Sequence, residues 1–136
     1  MRFDSKIAIA VRDDLAAWQK LNVTAFLASG IAASDPALIG AAYEDAGGGR
    51  YLPLLGRPVL VFAGSGEALR TAFERARLRN VRLAIYTEEM FATGHDEANR
   101  AAVKAVATAD LRLVGLALHE PRKTADAVLK GLSLHP

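Results

Sequence analysis

The stretch from residue 87 to residue 100, TEEMFATGHDEANR, holds a high density of side chains that could act on a ligand together. It follows an apolar run and combines hydroxyl, imidazole, carboxylate, amide and guanidinium groups, from Thr93, His95, Asp96, Asn99 and Arg100. A helix beginning near Gly94 would present free backbone N–H groups and a partial positive charge. Because Arg100 could clamp a carboxylate or phosphate, the stretch predicts a site for a small anionic or nucleotide-like ligand.

Two residues of the first predicted helix could complete this site. A buried asparagine without partners costs roughly 1–3 kcal/mol, so Asn22 either caps neighbouring backbone or lines the site. Asn22 and Asn99 together could orient a ligand by hydrogen bonding. His95 is a candidate general acid or base, and Lys20 is the second candidate for catalysis.

A structural interpretation of the same stretch stays open beside the functional one. Thr93 to Asp96 has the spacing of a capping box, in which Thr93 and Asp96 would cap the helix. Asp96 would then pair with Arg100 one turn later, and His95 would pack.

The composition limits the chemistry that the chain can perform. The 136 residues include no cysteine, which excludes disulfides, thiolate metal sites and a thiol nucleophile. The chain has three histidines, His95, His119 and His135. They are too widely spaced for a zinc signature. We therefore expect no metal.

The turn Gly64-Ser65-Gly66 invites comparison with a phosphate-binding loop. However, Leu69 stands where a dinucleotide fingerprint needs its third glycine, and no Walker lysine follows. We expect no cofactor here, and predict that Ser65 caps the following helix.

The charge pattern leaves a nucleic-acid partner open. The net charge is only +2. A local excess of arginines is either a basic surface or a solvated helix face; these arginines are Arg70, Arg75, Arg77, Arg79 and Arg82. The N-terminal MRFDSK lacks the apolar segment of a signal peptide, and no apolar run reaches the roughly 20 residues that span a bilayer. We expect a cytoplasmic protein with no membrane partner.

Apolar runs and helical periodicity alternate along the chain. Apolar runs predict strands near 5–11, 58–63, 82–86 and 111–118, and periodic segments predict helices near 15–32, 67–79, 94–108 and 121–129. The first helix is apolar nearly all round, which predicts burial on most sides. Periodicity is lost over residues 34–57, where Asp35-Pro36 predicts a short helical turn through Leu38 and Ile39, and Gly47-Gly48-Gly49 predicts a mobile loop. This order favours one domain, residues 1–136, with a three-layer α/β/α fold around a small mixed four-stranded sheet.

The order of motifs resembles the class II peptidyl-tRNA hydrolase fold. KIAIAVRDDL at residues 6–15 looks like that family's opening strand, and LVGLAL at 113–118 looks like its last strand. The active-site positions differ, since Leu21 stands in place of the hydrolase lysine and Lys20 is one residue away. A short Asp-Ala-Gly-x-Thr segment of the hydrolases is replaced by residues 87–100. The resemblance therefore implies the fold without the chemistry.

A second resemblance is more specific. Trp18-Gln19-Lys20-Leu21-Asn22 and the TGHDEANR of residues 93–100 are similar to two motifs of a bacterial family, domain of unknown function 2000, whose fold is like that of the hydrolases. This resemblance implies a common site formed by both motifs and names no reaction.

Three functions fit these observations. The first is binding of a small or nucleotide-like ligand beside the first helix and the TGHDEANR helix. The second is hydrolysis of peptidyl-tRNA or a related ester or amide, with His95 or Lys20 activating water. The third is a non-catalytic interaction or homodimerisation module, in which the apolar residues 52–55 meet a partner.

Overall fold

The computed structural model describes residues 3–136, which form strands and helices that mostly alternate along the chain. The strands are β1 (Ser5–Arg12), β2 (Tyr43–Glu44), β3 (Arg50–Tyr51), β4 (Val59–Gly64), β5 (Ala84–Thr87), β6 (Leu113–Pro121) and β7 (Ser133–Leu134). The α-helices are α1 (Ala17–Ser34), α2 (Gly66–Leu78), α3 (Asp96–Lys104) and α4 (Arg122–Leu129). No helix in this part of the chain is long and apolar enough to cross a membrane.

The main sheet is mixed, as predicted, but it has five strands in the order β5-β6-β1-β4-β7 rather than the predicted four. Strand β1 pairs in parallel with β4, while β6 and β7 run antiparallel to their neighbours. The additional strand is β7, which sequence periodicity could not predict because it contains only two residues. Gly131, at φ +98°, turns the chain back toward β4, in a left-handed conformation that glycine adopts readily.

Helices cover both faces of the sheet, which gives the predicted three layers. Alternate residues of a strand point to opposite faces, so Ile7 and Ile9 of β1 pack with α1 while Ala8 and Ala10 pack with α2 and α4. All four side chains are fully buried. This central strand therefore anchors both halves of the core.

The prediction that α1 is buried on most sides was wrong. Only Val23, Leu27 and Ile31 are buried, and they are spaced by four residues along one stripe. Trp18 and Leu21 are 61% and 73% exposed. The helix rests on the sheet through that single stripe, so its other faces are free to line a site or meet solvent.

Two further segments differ from the sequence predictions. In residues 34–57 the 3₁₀ turn at Pro36–Leu38 confirms the short helical turn predicted after Asp35-Pro36, whereas the β2–β3 hairpin was not predicted. Asp45 organises the hairpin turn by accepting hydrogen bonds from the backbone N–H groups of Gly47 and Gly49. Helix α3 ends at Lys104 rather than near residue 108, and its end tightens through a bond from the N–H of Val106 to the carbonyl of Val103.

Candidate functional site

A cavity of about 790 Å³ lies between α1, the end of β5 and the start of α3. All six predicted ligand-binding residues line it: Asn22, Thr93, His95, Asp96, Asn99 and Arg100. Asn22 is separated from the others by about 70 positions of sequence. The fold thus brings the two predicted motifs to one place, and Asn22 lines the space, which is the second of its two predicted roles.

The segment that connects β5 to α3 leaves the sheet and packs beside α1. The pairing of β5 with β6 shifts register between Tyr86 and Thr87, and such a shift bends a strand and redirects its side chains. Residues Glu88–Ala92 then form a 3₁₀ helix. Within that helix, Met90 and Phe91 pack against the core beneath α1 and line the cavity.

Aromatic rings form the apolar wall of the cavity. Trp18 meets Phe91 edge to face at 6.0 Å between ring centroids, Phe91 lies 5.3 Å from Tyr86, and Tyr86 lies 5.9 Å from Phe26. Burial raises the pKa of the Tyr86 hydroxyl, and a hydrogen bond with Asn22 opposes that rise. Aromatic rings at these spacings pack favourably, so the wall is a continuous apolar cluster of four rings.

The polar side of the cavity is organised by the first turn of α3. His95 is the N-cap, and its Nδ1 accepts a hydrogen bond from the N–H of Ala98 at 3.2 Å. The prediction that Thr93 caps the helix was wrong, because its hydroxyl donates to the Met90 carbonyl at 2.8 Å and contacts the side-chain amide of Asn99. Thr93 instead fixes the amide of Asn99 at the cavity wall.

Charged side chains are spaced by four residues along α3, from Asp96 through Arg100 to Lys104. Asp96 and Arg100 form the predicted ion pair, with side chains 80% and 68% exposed. An exposed pair of this kind contributes only about 0.3–0.5 kcal/mol to stability, so an anionic ligand could replace Asp96 as the partner of Arg100. Lys104 lines the cavity and has no ion pair within the described chain. The cavity therefore offers two cations one helical turn apart.

The two candidate catalytic residues are placed differently. Lys20 does not line the cavity, and its Nζ lies 3.2 Å from Nε2 of His135. His95 does line the cavity, but the lone pair of its Nδ1 is used by the helix cap. The neutral ring therefore carries its proton on Nε2, which suits His95 to donate a hydrogen bond to a ligand.

Sequence reasoning did not place several other lining residues in the site, among them Phe26, Tyr86, Phe91 and Lys104, and Trp18 entered only as part of the first motif. Phe26 and Tyr86 looked like core residues of a helix and a strand, and only the fold reveals that they converge with Phe91. For Lys104 a signal existed, since it follows Arg100 by four residues and so shares its helix face. Within residues 3–136, no group of three or more potential ligands is arranged to hold a metal ion.

Comparison with known proteins adds a family and a structural neighbour. A family model described as "Protein of unknown function (DUF2000)" matches residues 5–136. A solved structure of a protein of unknown function, Atu0240 from Agrobacterium tumefaciens strain C58, is similar to this chain with a TM-score of 0.96 and 48% sequence identity. The similarity covers 99% of this chain and 100% of the other. No curated protein matches the sequence.

Proposed function

The chain belongs to the DUF2000 family, and we propose that it binds a small ligand with a planar or apolar body and an anionic group in the cavity beside α1 and α3. The observation that carries this proposal is that all six predicted binding residues and an aromatic wall line one space of about 790 Å³. Small-molecule sites commonly have this volume range and a few convergent polar groups on an apolar lining. A nucleotide-like ligand has both required parts.

The aromatic and the cationic side chains of the lining would hold different parts of the ligand. Its planar body would lie against Trp18 and Phe91, which meet edge to face. Its anionic group would reach Arg100 and Lys104, the cationic side chains of the lining. Asn99 would hydrogen bond to the part between them.

The single tryptophan makes this proposal measurable without a label. Trp18 lies at the cavity and is 61% exposed, so a ring stacked on it would quench its fluorescence. We expect adenosine monophosphate to quench Trp18, adenosine to bind more weakly, and inorganic phosphate to leave the emission unchanged. A screen that adds aromatic carboxylates and other nucleotides covers the remaining members of the ligand class.

Matched arginine variants test the anionic end. A hydrogen bond to a charged group contributes about 1.5–3 kcal/mol, so Arg100→Gln should weaken binding of the best ligand about 10- to 150-fold. Arg82→Gln is the control, because Arg82 is exposed and lies outside the cavity. Equal affinities in the two variants, or no quenching by any member of the screen, would contradict the proposal.

We extend the proposal to the fold: residues 1–136 form a single domain of the class II peptidyl-tRNA hydrolase type. It is supported by the motif order and by a mixed sheet with helices on both faces. The hydrolase activity is not part of this proposal, because Leu21 replaces the hydrolase lysine and Lys20 lies outside the cavity.

A second candidate function is self-association through the segment after β3. Leu52 and Leu54 are 83% and 62% exposed, and Tyr51 beside them is 58% exposed. Exposed apolar residues that cluster often mark an interaction surface. If they join two copies, Leu52→Ser with Leu54→Ser should convert a dimer into a monomer by light scattering, whereas a monomeric unaltered chain at all concentrations would exclude this function.

A further inference from the structure

Four polar side chains meet at the end of the sheet beyond the C-terminus of α1, and none of them lines the cavity described above. They are Ser5, Asp35, Arg57 and His119, referred to as the Ser5 cluster. Strands β1 and β6 place Ile7 opposite His119 and Ser5 opposite Pro121. Ser5 and Ile7 therefore point to the same face of the sheet, the face that α1 covers.

The distances within the Ser5 cluster connect a hydroxyl, an imidazole and a carboxylate in series. Ser5 Oγ lies 2.7 Å from His119 Nε2, and His119 Nδ1 lies 3.5 Å from Asp35 Oδ2. The second distance is longer than a hydrogen bond, and catalytic contacts are often long before a substrate binds. A serine nucleophile, a histidine base and a carboxylate that orients the base have this order of contacts.

The positions of the protons follow from the partners. A carboxylate can only accept hydrogen bonds, so a neutral His119 facing Asp35 carries its proton on Nδ1. Nε2 then has a free lone pair, and Ser5 must donate its hydroxyl proton to it. Arg57 Nη1 in turn donates to Ser5 Oγ at 2.7 Å, which is consistent because the serine oxygen has lone pairs to accept it. All the protons point from Arg57 toward Asp35.

We propose that the Ser5 cluster is a second site, at which Ser5 is the nucleophile for hydrolysis of small carboxylic esters. Ser5 Oγ forms a bond to the carbonyl carbon as its proton passes to His119 Nε2. The ester C–O bond then breaks, and the leaving alcohol takes the proton from His119. Water next attacks the acyl carbon, giving its proton to His119, and the serine recovers its proton as the carboxylic acid leaves.

Arg57 and Asp35 support this reaction in different ways. The guanidinium of Arg57 stacks over Phe3 at 4.7 Å from the ring centroid, which fixes a positive charge beside the serine. The guanidinium has further N–H groups besides the one bonded to Ser5 Oγ, and one of these can donate to the carbonyl oxygen, where negative charge develops. Asp35 is a positioning residue, because it acts through His119. Ser5 is partly exposed, and the side chains of His119 and Asp35 are 22% and 43% exposed, so the cluster borders solvent.

A fluorophosphonate probe tests the nucleophile directly, because it forms a covalent adduct only with an activated serine. The unaltered full chain should gain one probe mass, and peptide mapping should place it on Ser5. Ser5→Ala should abolish the adduct, and the control Ser133→Ala, at an exposed serine of β7, should keep it. No adduct, or an adduct on another residue, would overturn the proposal, and the mapping on the unaltered chain does not depend on whether a variant folds.

Ester turnover separates a catalytic cluster from one that only ties α1 to the sheet. With 4-nitrophenyl acetate, His119→Gln should lower kcat at least about 100-fold, the usual effect of losing a general base. Asp35→Asn should lower kcat while leaving KM unchanged, since it changes the orientation of the base and not substrate binding. Turnover in His119→Gln equal to that of the unaltered chain would show that the contacts are structural only.

Discussion

Replacing Gly115 with alanine tests how closely α1 approaches the sheet. Gly115 lies in β6 under α1, and an added Cβ would lie 2.6 Å from Val23 Cγ1, 2.9 Å from Leu27 Cδ1 and 3.3 Å from the carbonyl oxygen of Ala10. The Leu27 methyl can turn away, but the β-branched Val23 side chain is held in one rotamer by the helix. The helix must therefore move or Val23 must strain. Overpacking of this kind costs about 1–3 kcal/mol.

A control glycine separates this steric cost from backbone effects. Gly94 has an ordinary φ, and no atom lies within 4 Å of the position that an added Cβ would take, so Gly94→Ala should be neutral or gain about 0.4–1 kcal/mol through the unfolded chain. Urea unfolding followed by circular dichroism would measure both variants. In thermal melts, Gly115→Ala should unfold about 3–15 °C below the native chain. Equal stability of the two variants would refute the close packing of α1 on β6.

Three further experiments test separate parts of the fold. Leu27→Ala should lower the free energy of unfolding by about 2–5 kcal/mol, because Leu27 is only 2% exposed. Leu21→Ala, at a residue 73% exposed, should change it by less than about 0.5 kcal/mol. Equal urea midpoints of the two variants would contradict the packing of α1 on the sheet. Ser65→Ala removes the side-chain cap of α2 and should cost about 1 kcal/mol, with Ser65→Asp restoring stability. Hydrogen bonds, first from Tyr51 and then from backbone N–H groups, lower the pKa of Asp45 below its ordinary value of 3.8. The hairpin contacts of the ionised carboxylate are therefore complete above pH 3.8 and are lost as the pH falls through the lowered pKa. Amide resonances of the turn, followed by NMR, should therefore titrate with a midpoint below 3.8, and a midpoint at or above that value would contradict the hydrogen bonding.

The central strands and the two motifs that line the cavity could be recognised in the sequence because their signals are local. A continuous apolar run such as residues 7–11 marks a buried strand wherever it occurs. The TGHDEANR segment drew attention because several polar side chains lie within eight residues. Ser65 as the N-cap of α2 was confirmed, since a cap depends on bonds between residues three apart. Membership of the DUF2000 family was likewise confirmed.

The remaining features depend on contacts between distant residues. The apolar surroundings of Trp18 in the sequence are the same whether it packs in the core or lines a cavity, so its 61% exposure was not predictable. Ser5 and His119 are 114 positions apart, and both are common residue types without a local motif. Their meeting follows only from the register of β1 against β6. The N-cap of α3 was misassigned because Thr93 and His95 are both able to accept from a backbone N–H.

The two residues of β7 have a bearing on aggregation. β7 pairs with Phe62 and Ala63 of β4, and the N–H of His135 bonds to the carbonyl of Val61 at 2.9 Å. Without these contacts the whole outer side of β4 would present unpaired backbone groups, which recruit strands from other molecules. A chain shortened to end at Gly131 should therefore form soluble aggregates that light scattering detects. Residues 133–135 thus protect the edge strand β4 from pairing with other molecules.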